Sequence, residues 1–360
     1  MADDTGGRDE IKDLRDQVAD VNQRLLALLS DRARLVLAIH QVKRQRALDP
    51  FDPDREQQML DALVDRNAGP FGDDVVRHLF KEIFKASLDL MEGGSRRPAV
   101  ARRPGDAEVV VRTGTRCIGP TPVVIAGPCA IEDEAQMEQA AATMARLGVG
   151  FLRGGAFKPR TSPYAFQGLG ETGLRWLAEA AARHGLTTVT EVVDTRTVDL
   201  VARYADVLQV GSRNMANYEL LKAVAGAGKP VLLKRGFAAT LDEFIQAAEY
   251  VASSGNESII LCERGIRTFN RETRFTLDIA AVPLLLQETR LPVIVDVSHA
   301  AGRRDLLVPL ARAGLAAGAR GVMVEVHPHP AVARSDGHQQ LDFVQFEGFL
   351  AAIADLLTSR

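Results

Sequence analysis

The chain has 360 residues, 46% hydrophobic and 25% charged, with a formal net charge of -3. That length suits two domains better than one, and the near-neutral balance leaves no electrostatic footprint for a nucleic-acid partner. The acidic start MADDTGGRDE has no apolar signal core, no apolar run approaches a membrane span, and three cysteines are too few for a disulfide framework, so the expectation is a cytoplasmic protein with no membrane partner.

Residues 8 to 93 read as helices. Ile11, Leu14, Val18, Val21, Leu25, Leu28, Leu29, Leu35, Ile39 and Val42 recur in steps of three and four, which places them on one face of a long first helix. Pro50 and Pro53 stop it. Asp54 can cap a second helix through Leu63, and Asp73 or Asp74 a third through Met91. Three helices of this size bury little core, so pairing with a second copy would cover the stripe. The expected all-α domain is 1–93. GGSRRPAVARRP interrupts the pattern with Gly, Pro and Arg, and 94–107 reads as a linker.

The remainder, 108–360, starts with a short hairpin from Glu108 to Ile118, turning at Thr113 and Gly114. Strand and helix then alternate. Short apolar runs begin at Val123, Phe151, Thr187, Val207, Val231, Ile259, Val293 and Val322, most of them separated by amphipathic helices. Eight such repeats fit a closed (β/α)8 TIM barrel, so the fold expected is α/β, a barrel preceded by a β-hairpin and a three-helix domain. An open doubly wound sheet is the alternative, weakened because no Gly-rich dinucleotide fingerprint follows the first strand.

In such barrels chemistry gathers at the C-terminal ends of the strands. Those ends carry Cys129, Arg153 with Lys158, Glu191, Arg213, Lys234, Glu263 with Arg264, Asp296 with His299, and Glu325. Singly each has a bland reading: a strand-end cysteine is often a small core residue, Glu325 could pair with Arg320, and Asp336 before Gly337 looks like a turn residue. The first and eighth strands are neighbours in a closed barrel, so Cys129, His299, Glu325 and Asp336 can converge. A thiolate, an imidazole and two carboxylates suit a catalytic first-row divalent ion; manganese is the first candidate, with iron, cobalt and zinc also compatible. Cys117 and Cys262 are expected to be structural. The Gly-rich basic segment around Arg153, Lys158 and Arg160 reads as a cradle for anionic oxygens. With Arg213, Lys234 and Arg264 it carries enough positive charge for two phosphorylated substrates, at least one also bearing a carboxylate.

Taken together, AGPCAIE, GGAFKPRTSPYAFQGLG, GSRNMANYELL, LLKRG, CERGIRTF, DVSHAAGRRD, EVHP and SDGHQQL resemble the 3-deoxy-D-arabino-heptulosonate 7-phosphate (DAHP) synthases, in the microbial subgroup related to 3-deoxy-octulosonate 8-phosphate synthase. The resemblance spans about residues 108 to 350. It implies condensation of phosphoenolpyruvate with erythrose 4-phosphate, releasing phosphate, as the first step of the shikimate pathway. By position it gives the divalent metal to Cys129, His299, Glu325 and Asp336. It gives phosphoenolpyruvate to Arg153, Lys158, Arg213, Lys234 and Arg264, and erythrose 4-phosphate to Lys158, Pro159, Arg160 and Thr161. The catalytic set on this reading is Lys158, Glu191, Cys129 and His299, with Glu191 positioning a water.

LRDQVADVNQRLLALLSDR followed by DPDREQ resembles the all-helical chorismate mutases over about residues 8 to 92. Arg15, Arg32, Lys43, Asp52, Arg55, Glu56 and Ser87 fall at that family's active-site spacings, and its intertwined dimer implies that Arg15 comes from a partner copy. The assembly expected is a homo-oligomer, a dimer through the helical domain and a tetramer overall. There is one departure: Met91 stands where the family has a Gln or Glu, and a thioether cannot donate a hydrogen bond. The helical domain is therefore expected to bind chorismate or prephenate as an allosteric sensor with weak mutase turnover, the alternative being a fully bifunctional enzyme. Two other readings compete. A 3-deoxy-octulosonate 8-phosphate synthase would carry roughly Ala-Asn-Arg-Ser where this chain has Pro159-Arg160-Thr161-Ser162; a non-catalytic metabolite scaffold would not need intact ligand motifs.

Overall fold

The computed structural model describes residues 5–46, 53–91, 98–114, 116–160 and 162–358, and divides the chain into two compact units, Met1–Arg97 and Pro98–Arg360. In the first unit, α1 (Thr5–Gln45), α2 (Pro53–Asp65) and α3 (Asp73–Met91) follow in order. Asp54 and Glu56 stand in the first turn of α2, and Asp73 and Asp74 in that of α3, where carboxylates favour the unpaired backbone N–H groups. Leu60 and Phe84 are buried, which is a small core. The 41 residues of α1 extend roughly 60 Å. Ile11, Leu14, Val18, Val21, Leu25, Leu28, Leu35, Ile39 and Val42 are 47–66% exposed along it, so the described residues of this unit leave the stripe uncovered.

The second unit opens with the hairpin β1 (Val111–Thr113) and β2 (Arg116–Ile118). Eight parallel strands follow: β3 (Val123–Gly127), β4 (Phe151–Arg153), β5 (Thr187–Val192), β6 (Val207–Val210), β7 (Val231–Lys234), β8 (Ile259–Glu263), β9 (Val293–Asp296) and β10 (Gly321–Glu325). They pair in chain order, and β10 closes on β3 with Glu325 opposite Gly127. This is the TIM barrel expected. Outside it lie α4 (Glu134–Arg146), α5 (Glu171–His184), α6 (Val198–Tyr204), α7 (Tyr218–Gly226), α8 (Leu241–Ser253), α9 (Ala281–Glu288), α10 (Val297–Ala301), α11 (Leu307–Ala316) and α12 (Phe343–Thr358). Local chemistry sets their ends: Thr240 and Glu243 form a capping box on α8, and Gly185 ends α5 in the left-handed conformation.

The strands are buried on both faces, as parallel strands under a helical layer must be. Ile125, Phe151, Val189, Val207, Leu232, Ile260, Ile294 and Met323 fill the barrel, and Val111 and Ile118 of the hairpin join them. The hairpin thus plugs one end and leaves the C-terminal end of the strands for polar groups. Two local expectations need correcting. The segment from Pro98 onward is not a free linker: Val100 is buried, Ala101 bridges to Thr289, and Arg102 N donates to the Glu288 carbonyl, because the small apolar residues between the arginines fit against α9. Cys262 is core, but Cys117 is exposed on β2, which leaves one flank of the hairpin bare. Among the described residues no helix is long and apolar enough to cross a membrane.

Candidate active site

Cys129 sits just past β3. Gly127, the last residue of β3, has φ 143°, and any Cβ there would strike the backbone of Arg153, so the chain can turn inward only without a side chain. Glu325 ends β10, His299 lies in the short helix α10 after β9, and Asp336 follows in the loop after β10. One ligand atom from each of Cys129, His299, Glu325 and Asp336 lies within 4.8 Å of the others. Asp336 is also the one non-glycine residue with positive φ, 51°, among the described residues. A backbone conformation that costs on the order of 1 kcal/mol is thus found at a proposed ligand.

The protons around this cluster can be assigned. Asp296 accepts from both His299 N (3.0 Å) and His299 Nδ1 (2.7 Å), so Nδ1 carries the hydrogen and Nε2 keeps its lone pair. That Nε2 faces Glu325 Oε1 at 3.4 Å. Burial holds His299 below the usual imidazole pKa despite the pull of Asp296 and Glu325, so it is neutral, as a ligand must be. Burial disfavours ionised Glu325, but the charged Arg153 and Lys158 beside it outweigh that and hold the carboxyl well below its usual range. Burial, then Glu325, pushes the Cys129 thiol up to about 12. Cys129 Sγ lies 3.4 Å from Asp336 Oδ2. Four electron-pair donors facing one another across so small a space fit a divalent cation at their centre.

Basic groups surround the cluster. Arg153 Nη1 donates to Glu325 Oε1 at 2.5 Å, both groups buried. Lys158 Nζ donates to the Cys129 carbonyl (3.0 Å) and to Sγ (3.2 Å). Lys234 pairs with Asp296. Buried ion pairs are rarely optimal for stability, so their density here marks a site kept for chemistry. Arg153, Lys158, Arg213, Lys234 and Arg264 all line one recess of about 40 Å³. It shares Lys158, Glu191, Arg213, Arg264 and His299 with a larger cavity of about 460 Å³, which Pro159, Arg160 and Asp336 also line. Thr161 lies outside the described residues. Glu191 is held by Gln209 Nε2 at 3.3 Å, and a Cβ at Gly211 would collide with its carboxylate.

Several participants were not read from the sequence. Phe237 and Phe275 stack with centroids 5.1 Å apart, Arg264 lies over Phe275 at 3.9 Å, and Arg213 and Arg267 lie over Phe237 at 5.4 Å each. This aromatic shelf holds three guanidinium groups toward the cavity. Burial pulls Arg264 down to about 10, still charged at neutral pH. Arg160 Nη1 donates to Ser335 Oγ at 2.5 Å, and Arg274 pairs with Asp336 at 3.3 Å. Glu263, expected on the rim, is fully buried and tied to Arg235 and the Gly265 amide. Arg320 pairs with Glu108, which leaves Glu325 to the cluster.

In the helical unit a second cavity, about 450 Å³, is lined by Arg32, Lys43, Arg55, Glu56, Ser87 and Met91 among others. Arg32 donates to Ser87 Oγ at 2.5 Å and lies over Phe84 at 4.8 Å. Arg15 is exposed on α1 and does not line this cavity, and Asp52 lies outside the described residues.

Comparison with known proteins agrees with this division. Residues 108–359 match the DAHP synthetase I family, and residues 14–92 match chorismate mutase type II. A phospho-2-dehydro-3-deoxyheptonate aldolase of Thermotoga maritima is 50% identical over 284 residues, 78% of this chain and 83% of the relative. A 2-dehydro-3-deoxyphosphooctonate aldolase of Acidithiobacillus ferrooxidans is 34% identical over 232 residues, 59% of this chain and 82% of the relative. The crystal structure of the DAHP synthase from Thermotoga maritima superposes with a TM-score of 0.70 at 50% identity, covering 72% of this chain and 77% of that one. A truncated form of the Thermotoga maritima enzyme gives 0.67 at 47% identity, covering 71% and 95%.

Proposed function

The chain belongs to the DAHP synthetase I family, and from that membership we propose that it condenses phosphoenolpyruvate with erythrose 4-phosphate to give DAHP and phosphate, with a divalent metal, manganese first among the candidates, held by Cys129, His299, Glu325 and Asp336. The observation that carries this reading is the convergence of that four-ligand cluster with a cavity lined by Lys158, Arg160, Arg213 and Arg264. When bound, the ion supplies Lewis-acid polarisation of an aldehyde oxygen.

The chain's own residues do the rest. Arg153, Arg213, Lys234 and Arg264 line the small recess and take the phosphate and carboxylate of phosphoenolpyruvate, offsetting charge without reorganisation. Arg160, with Pro159 and Thr161, takes the phosphate of erythrose 4-phosphate and turns its aldehyde carbon toward the methylene carbon of phosphoenolpyruvate. The carbon–carbon bond forms between those two atoms. Glu191 positions the water that adds to the central carbon of phosphoenolpyruvate. The C–O bond of the resulting tetrahedral phosphate ester then breaks and phosphate departs. Burial pulls the Lys158 ammonium down, but Cys129, Glu191 and Glu325 outweigh it; it stays protonated and serves as proton donor to the former aldehyde oxygen. The three cysteines, all free, suit a reducing cytoplasm.

The test is phosphate release with two aldoses. Erythrose 4-phosphate should be preferred; preference for arabinose 5-phosphate would move the chain to the octulosonate reaction.

We further propose that the helical unit binds chorismate or prephenate in its own cavity, as a sensor that inhibits the barrel. Arg32, Lys43 and Arg55 supply cations for two carboxylates, and the exposed stripe on α1 supports a dimer in which Arg15 crosses to the partner copy. Deleting residues 1–95 should keep synthase turnover and remove inhibition by prephenate. Equal inhibition of both forms would remove the sensor role.

A further inference from the structure

The loop after β10 places two adjacent glutamines, Gln339 and Gln340, against the ligand cluster, each with no exposed surface. A buried primary amide without partners costs about 1–3 kcal/mol per unsatisfied group, so the bonds these two make are what keeps them there. Gln339 Nε2 donates to Glu325 Oε2 at 2.6 Å, and its Oε1 accepts from Arg274 Nη1 at 3.0 Å. Arg274 in turn pairs with Asp336. Gln340 Oε1 accepts from the Cys129 amide at 3.0 Å, and its Nε2 donates to the Ser335 carbonyl at 2.8 Å. Neither amide can be flipped: a carboxylate only accepts, a guanidinium and a backbone N–H only donate, and a carbonyl only accepts.

Each bond lands on a ligand or on its neighbour. Gln339 occupies Oε2 of Glu325, while Oε1 accepts from Arg153 and faces His299. Gln340 ties the Cys129 backbone to the residue just before Asp336, the position with positive φ. Neither glutamine lines the large cavity or the small recess, so neither is a substrate contact.

We infer that Gln339 and Gln340 are positioning residues that hold Cys129, Glu325 and Asp336 in place before a cation arrives, and that this pair sets the affinity of the site for a divalent metal. The inference rests on the proposed metal site. Ligands fixed in advance lose less freedom on binding, and partners of this kind change metal affinity by about 10–100-fold when removed.

The experiment uses the full-length chain stripped with a chelator and titrated with Co²⁺. Thiolate-to-cobalt absorption reports coordination by Cys129, and competition with a chromophoric chelator gives the affinity. Gln339→Met and Gln340→Met keep length and bulk but lose the amide. Each should weaken Co²⁺ about 10–100-fold and shift the band. Asn256→Leu is the control. Asn256 is a buried amide that bonds the Lys229 carbonyl and the Ser258 amide, away from the cluster. It should lower the melting temperature and leave Co²⁺ affinity unchanged. If a methionine variant does not fold, the asparagine variant at that position reads the same affinity. Wild-type affinity and spectrum in both glutamine variants would overturn the inference. Absence of a thiolate band in the native chain, or its survival in Cys129→Ala, would instead sink the metal reading and this inference with it.

Discussion

At the barrel mouth, Arg153, Lys158 and Lys234 are buried and each is tied to an acidic group or to Cys129; in the helical unit, Arg32 rests on Phe84 beside a cavity that Arg15 of the same chain does not line. The groups of the first arrangement all come from one chain, because the eight barrel strands and their loops bring them together. The second belongs to three helices with a small core, the longest of which leaves its apolar stripe bare. A closed sheet can position a site from far-apart segments. On the proposed dimer, another copy would finish both the core and the cation set of the helical unit.

The sharpest way to break this comparison is at the barrel. Cys129→Ala should abolish DAHP formation and bound metal together, since a methyl group offers no ligand; phosphate release and metal content measure both. Full activity without metal would remove the cluster from the chemistry. The helical side is challenged by Val18→Asp combined with Leu25→Asp on the α1 stripe. Light scattering should report a smaller assembly, and prephenate binding should fall in parallel, while an unchanged mass would mean that this face is not an interface.

A finer test separates the two substrates. If Arg160 holds the phosphate of erythrose 4-phosphate as proposed, Arg160→Ala should raise the KM for that substrate by about 10- to 150-fold, equivalent to roughly 1.5–3 kcal/mol. The KM for phosphoenolpyruvate should change little; equal losses would place Arg160 at the other substrate. The smallest effect is expected at Met91, which lines the helical cavity. Met91→Gln restores a donor that acts chiefly in the transition state, so mutase turnover should rise with little change in ligand affinity. Native turnover already equal to that of dedicated mutases would contradict the weak-mutase reading.

What the sequence disclosed follows the same divide. The barrel was legible because each strand is a short apolar run with an ionisable residue at its end or within three residues of it, and β10 had to lie beside β3 if the sheet closed. Cys129, His299, Glu325 and Asp336 could therefore be grouped before any coordinates. Phe237, Phe275, Arg274, Gln339 and Gln340 could not. Their partners are fixed by the path of loops rather than by spacing, and a Gln-Gln pair looks like solvent-facing polar sequence until its burial is known. Pro98 to Ala101 misled for a related reason: Gly, Pro and Arg suggest a tether, yet Val100 and Ala101 are enough to seat the segment on the barrel. In α1 the period was clear, but nothing in one chain says what covers it.

The most direct measurement compares residues 98–360 with the full-length chain, each stripped of metal and then supplied with Mn²⁺, by phosphate release from phosphoenolpyruvate and erythrose 4-phosphate. Both forms should be inactive when stripped, and both should recover comparable turnover on addition of the ion. Turnover that survives stripping, or a trimmed barrel that stays inactive after Mn²⁺ is returned, would contradict a metal-dependent site completed by the barrel alone.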